Sequence, residues 1–154
     1  MDAETRLTLR HECAHLAVAK ILGHKAKYIE VNADGSGAVD FYGEVPDGDL
    51  AKISVAPAIY PDDEPSAYDI EDFANDEIVA ARIWAAMNAD RIKEVALDLE
   101  KRIESFYERG FGRLLRPFRL AQPSMQIPFP LAVTNAIRLH PVFAKEARWT
   151  KFLN

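Results

Sequence analysis

The chain has 154 residues, 49% of them apolar, and a formal net charge of −5. That length and composition suit one hydrophobic core rather than two, and the acid excess argues against a dedicated nucleic-acid binder, which needs positive potential over the phosphates. Cys13 is the single cysteine, which excludes an internal disulfide and any multi-cysteine zinc or iron–sulfur site, so a bound metal would be held by His and carboxylates.

Over residues 4–22 the apolar positions Leu7, Ala14, Val18 and Ile21 recur at helical steps, with Asp2 placed to cap and Gly23 to stop a helix. Residues 28–31 alternate, 34–37 carry turn chemistry and 38–42 resume strand composition, which predicts a hairpin. Residues 50–60 have helical composition, and Pro57, lacking an amide proton, must start, kink or end that helix. An acidic, proline-containing loop at 61–65 precedes a long helical pattern over 66–88. A further amphipathic pattern, Ile92, Val95, Leu99, Ile103 and Phe106, ends at Gly110. The longest apolar-rich stretches, 16–22 and 53–60, are interrupted by Lys20 and Pro57 and fall well short of the roughly 20 residues a membrane span needs. The acidic start is unlike a secretory signal. A cytoplasmic protein with no membrane partner is expected.

After Gly110 the style changes. Arg113, Arg116 and Arg119 alternate with Leu114, Leu115, Phe118 and Leu120, followed by Pro123, Pro128 and Pro130; a short helix over 131–139 and another from Pro141 are predicted. Residues 1–109 hold 12 Lys and Arg against 23 Asp and Glu, a net −11, whereas residues 110–154 hold 7 against 1, a net +6. The expected organisation is a main domain over 1–109 and a basic C-terminal extension over 110–154, packed on it or appended to it. Its three arginines suit docking on an acidic protein partner, on a nucleic-acid backbone or on the chain's own acidic body, and the apolar anchors Leu114, Leu115 and Phe118 favour a protein surface. The class is α+β, mostly helical with one small sheet.

His11-Glu12-Cys13-Ala14-His15 satisfies the H-E-x-x-H pattern inside the first helix. Residues four apart share a helix face, so both imidazoles can converge on one ion while Glu12 reaches a water beside it. Zinc held by two His and one carboxylate keeps a position open for water, and a nearby Glu can take the water's proton and pass it to a leaving amine. The plain alternative is a polar pair on a helix surface. His24, just past Gly23, reads as a helix-end residue rather than a ligand. Cys13, about 200° round the helix from His11, should point into the core. Residues 28–31 read equally as a plain hairpin strand or as a sheet edge that takes up a peptide backbone. Trp84, Phe106, Tyr107 and Trp149 read as packing residues. Asp69 stands three residues after Ser66, the spacing of a capping box; Asp63, Glu64, Asp72 and Asp76 are further carboxylates in the same unit.

The sequence resembles peptidase family M41, the protease domain of the membrane-bound ATP-dependent FtsH-type enzymes. The likeness runs through His11-Glu12-Cys13-Ala14-His15-Leu16-Ala17-Val18-Ala19, similar to that family's HEAGHALVA, and through Lys27-Tyr28-Ile29-Glu30-Val31, where the family has its active-site edge strand. Ser66-Ala67-Tyr68-Asp69-Ile70 is similar to the segment whose Asp is the family's third zinc ligand. Residues 6–105 are covered. Cys13-Ala14 replaces the usual Ala-Gly, and residues 55–60 replace a Gly-Arg-Ala-Ala-Glu run. The resemblance implies a mostly helical, zincin-like metallopeptidase domain that binds Zn2+ through His11, His15 and Asp69, uses Glu12 as general base and acid on a peptide or protein substrate, and stands free of an ATPase module. The alternative function is a catalytically silent zinc-site scaffold that acts as a protein-binding or inhibitory module.

Overall fold

In the computed structural model, which describes residues 3–32, 36–63, 70–106 and 124–128, the first helical pattern forms α1 (Ala3–Ile21). Its second half is buried all round, from Glu12 to Ala19, the signature of a helix enclosed by neighbours rather than lying on a surface. Helix α4 (Ala89–Phe106) covers one side of it and the sheet another. Gly23 ends the helix in the left-handed region (φ 88°). The His24 amide donates to Ala19 O (2.9 Å) and the Gly23 amide to Lys20 O (3.1 Å). This is a Schellman cap, which satisfies two carbonyls the helix would otherwise leave open.

The hairpin forms as predicted and gains a strand. β1 (Ala26–Asn32) pairs antiparallel with β2 (Gly37–Phe41), Ile29 opposite Val39 and Val31 opposite Gly37, with a bulge between Ala26 and Tyr28. On its other side β1 pairs antiparallel with β3 (Ser124–Pro128), Ile29 opposite Ile127, so the order is β2-β1-β3. Ile29 and Val31 point into the core. Because β3 lies within residues 110–154, that segment contributes a strand to the sheet of the main domain. Arg113, Arg116, Arg119 and the helices expected over 131–139 and beyond Pro141 lie outside the described residues.

The helical stretch expected over 50–60 divides at Pro57. Helix α2 (Asp47–Ser54) starts after Pro46, and Pro57 opens a 3-10 turn (Ala56–Ile59), as a residue with fixed φ and no amide proton should. The pattern expected over 66–88 is not continuous either. Residues 71–74 form turns, and α3 (Asn75–Met87) begins only after them, its first amides satisfied in part by Glu77 Oε2 accepting from the Ala74 amide (3.3 Å). Asn88 separates α3 from α4, its side-chain amide donating to Trp84 O (2.8 Å). Along α4, Ile92, Ala96, Leu99 and Ile103 are buried at four- and three-residue steps, which is the amphipathic face predicted from the sequence. They meet Leu9, Cys13, Leu16, Val18, Ile53 and Val55 in one core. The described residues thus show an α+β architecture, and no helix among them is long and apolar enough to cross a membrane.

Candidate metal centre

Helical spacing sets His11 and His15 one turn apart, and the two rings meet edge to face with centroids 4.9 Å apart. Their Nε2 atoms approach to 3.2 Å. Each Nδ1 is engaged on the opposite side of its ring. His15 Nδ1 lies 2.6 Å from Ile53 O, and since a carbonyl only accepts, that nitrogen carries the proton. His11 Nδ1 lies 2.9 Å from Asp63 Oδ1 and donates to the carboxylate.

Both partners trace to local sequence. Ile53 O belongs to the last turn of α2, where carbonyls lack partners; the residue four positions on, whose amide would take it in a continuing helix, is Pro57. Proline therefore leaves that carbonyl for His15. Asp63 follows the 3-10 turn, its amide held by Tyr60 O (3.2 Å). The preceding Asp62 pairs with Arg10 (3.1 Å), whose guanidinium also lies 4.5 Å over the Tyr60 ring. Consecutive acids thus hold consecutive residues of α1. The Arg10 hydrogen bond lowers the Asp62 carboxyl, while burial pushes the Tyr60 phenol up to about 12.

With both Nδ1 atoms donating, the two Nε2 atoms face each other at hydrogen-bond distance, a spacing that a proton or a metal cation between them would satisfy. Two nitrogens at about 2.0–2.1 Å on a tetrahedral zinc stand about 3.3 Å apart, so the observed 3.2 Å matches such a pair. An acceptor on the far nitrogen of each ring is the usual support of a metal-binding imidazole. The imidazole pair has the spacing and the outer partners of two zinc ligands.

Glu12 is buried (4% exposed) beside the start of β2. A Cβ placed on Gly37 would stand 2.5 Å from Glu12 Oε1 and 2.7 Å from its Cγ. Only glycine fits there with the carboxylate where it is. In the sequence Gly37 reads as part of a turn; it is instead the first residue of β2, and its contact is with a residue 25 positions earlier. His11, Glu12 and His15 open into a cleft of about 960 Å³ bounded by β2, α2 and the approach to α3. The strand along this cleft is β2, not β1. With both its sides paired, β1 has no free edge, so residues 28–31 cannot serve as the sheet edge that takes up a peptide.

Asp69 and Ser66 lie outside the described residues. Among the described residues no group of three or more His, Cys, Asp and Glu side chains is placed to hold one ion. Of the other carboxylates weighed, Asp63 is occupied with the far nitrogen of His11, Asp72 lines the cleft, and Asp76 does not. His24 pairs with Asp49 in α2 (2.7 Å), away from the centre. Cys13 is wholly buried, and burial, with Glu100 and Glu12 nearby, pushes its thiol well above the usual range, so it stays an inert core residue as its helix position predicts. Trp84 packs against the core with the Lys52 amine 5.2 Å over its ring. The Phe106 side chain, Tyr107 and Trp149 lie outside the described set.

Comparison with family models, with curated proteins and with solved structures finds no match. What the chain does is therefore to be read from His11, Glu12, His15 and the groups around them.

Proposed function

We propose that the chain is a zincin-like, zinc-dependent metallopeptidase that hydrolyses peptide bonds without ATP. One observation carries the proposal: two imidazoles aim their Nε2 atoms at a common point, each with its Nδ1 held by an acceptor, beside a buried glutamate in an open cleft. The resemblance of the first motif to the M41 peptidases supports it. His11 and His15 would hold the ion, with Asp69 as the proposed third ligand. Bound zinc supplies Lewis acidity toward a peptide carbonyl and acidifies water to a pKa of about 7. Glu12, kept against the Gly37 backbone, takes the proton of the attacking water and returns it to the leaving amine. The outer edge of β2, which no strand pairs among the described residues, would offer main-chain hydrogen-bonding groups to an extended substrate along the same cleft.

The test is cleavage of an unfolded protein by the zinc-loaded chain, lost on chelation and restored by zinc. Absence of cleavage with zinc bound would favour the silent scaffold instead. Three further outcomes follow, two from the centre's geometry and the third from the resemblance to the M41 peptidases. Asp63→Asn keeps the shape but cannot accept as a charged group, and should weaken zinc binding about 10- to 100-fold in a chelator competition, with the circular dichroism spectrum unchanged. Gly37→Ala forces Glu12 from its place and should lower kcat/KM by about tenfold or more while zinc content holds; an unchanged rate would remove this contact from the account. Asp69→Asn should reduce zinc retention far more than Asp72→Asn or Asp76→Asn. If Asp69 only caps its helix, its loss should cost about 1 kcal/mol of stability and leave zinc unchanged.

A further inference from the structure

Among the described residues the cleft is lined by Asp47, Asp62, Asp63, Asp72 and Glu77 besides Glu12, and by one permanent cation, Arg10. Three of these acids have work within the fold: Asp62 pairs with Arg10, Asp63 with His11, and Glu77 accepts from the Ala74 amide. Asp62 thereby offsets the Arg10 guanidinium. Asp47, on the α2 wall, and Asp72, on the approach to α3, have no ion-pair or hydrogen-bond partner among the described residues. Apolar side chains stand beside them, with Val39 and Phe41 along β2 and Leu50 and Phe73 on the other walls. Among the described residues, a chain entering along β2 therefore meets two acids without a cationic partner on the other walls of the cleft, beside an apolar lining.

Resting on the peptidase reading above, we infer that the cleft selects polypeptide segments carrying a lysine or arginine close to the bond that is cut, with Asp47 and Asp72 as the specificity-determining carboxylates. Opposite charges about 5 Å apart near a protein surface interact strongly enough to discriminate by about tenfold, and salt screens the effect. A matched acidic residue meets the same carboxylates as a repulsion, so the ranking runs basic, neutral, acidic.

The experiment uses the zinc-loaded full chain and a quenched fluorescent peptide in which one position at a time, on both sides of the cleaved bond, is Lys, Gln or Glu. At one or more positions kcat/KM should fall about tenfold from Lys to Gln and further to Glu, and the spread should narrow in about 0.5 M salt. In D47N/D72N the Lys advantage should shrink to about twofold while the rate on the Gln peptide is maintained. The same peptides are also titrated by fluorescence anisotropy into zinc-loaded Glu12→Gln protein, which reads preference without turnover. Cleavage with no preference for Lys, or a preference untouched in D47N/D72N, overturns the inference and leaves the peptidase reading standing. Tighter binding of Lys peptides with no cleavage by the wild type supports the basic specificity and overturns the peptidase reading instead.

Discussion

His15→Ala is expected to strip the protein of zinc. Apparent free energies of about 10–16 kcal/mol for four-ligand zinc sites assign roughly 2.5–4 kcal/mol to each ligand, so losing one should weaken binding by about 10²- to 10³-fold. His11→Ala should do the same. The two variants differ in what else they disturb. His15 is buried (4% exposed) and holds Ile53 O, so its loss also removes a buried hydrogen bond and leaves a void, and should lower the melting temperature of the metal-free protein. The His11 side chain is 20% exposed and that of its partner Asp63 17%, both within reach of solvent, so its loss should lower metal-free stability less than the loss of His15. Zinc content after dialysis, with thermal melts of both variants in the absence of metal, checks the two effects separately.

Glu12→Gln is expected to lower peptide hydrolysis by about 10²- to 10⁴-fold, the usual contribution of a positioned general base, while zinc content stays at the wild-type level. The amide keeps the volume that fits against Gly37 and loses only the ability to accept a proton. A variant that cleaves as fast as the wild type would remove Glu12 from the chemistry.

The sequence made the helical half of this centre legible and hid its supports. His11, Glu12 and His15 are read together because helix geometry fixes residues at four-residue spacing on one face. The burial of Cys13 and the amphipathic face of α4 follow from the same periodicity. Asp63 and Ile53 O lie 52 and 38 residues from the imidazoles they hold, and no local pattern encodes such pairings. Asp63 is one of several acids in its loop, and a carbonyl has no sequence signature at all. Pro57 was visible as a helix breaker, but its consequence for His15 needs the packing of α2 on α1. Gly37 carries a signal that points the wrong way, because a glycine after Asp34-Gly35-Ser36 reads as turn chemistry whereas its use is the room it leaves for a carboxylate. β3 was missed because residues 124–128, with Pro123 before them and Pro128 among them, look like a poor strand; pairing with β1 outweighs that weak local preference.

The central claim is that the imidazole pair of α1 holds a zinc ion. Its most direct test is native mass spectrometry of the full chain purified in the presence of zinc and then exchanged into metal-free buffer. The predicted result is a mass increment of about one zinc ion per chain, absent from the His11→Ala/His15→Ala double variant. A wild-type protein that emerges folded and metal-free, or one that keeps its zinc equally well in the double variant, would contradict it.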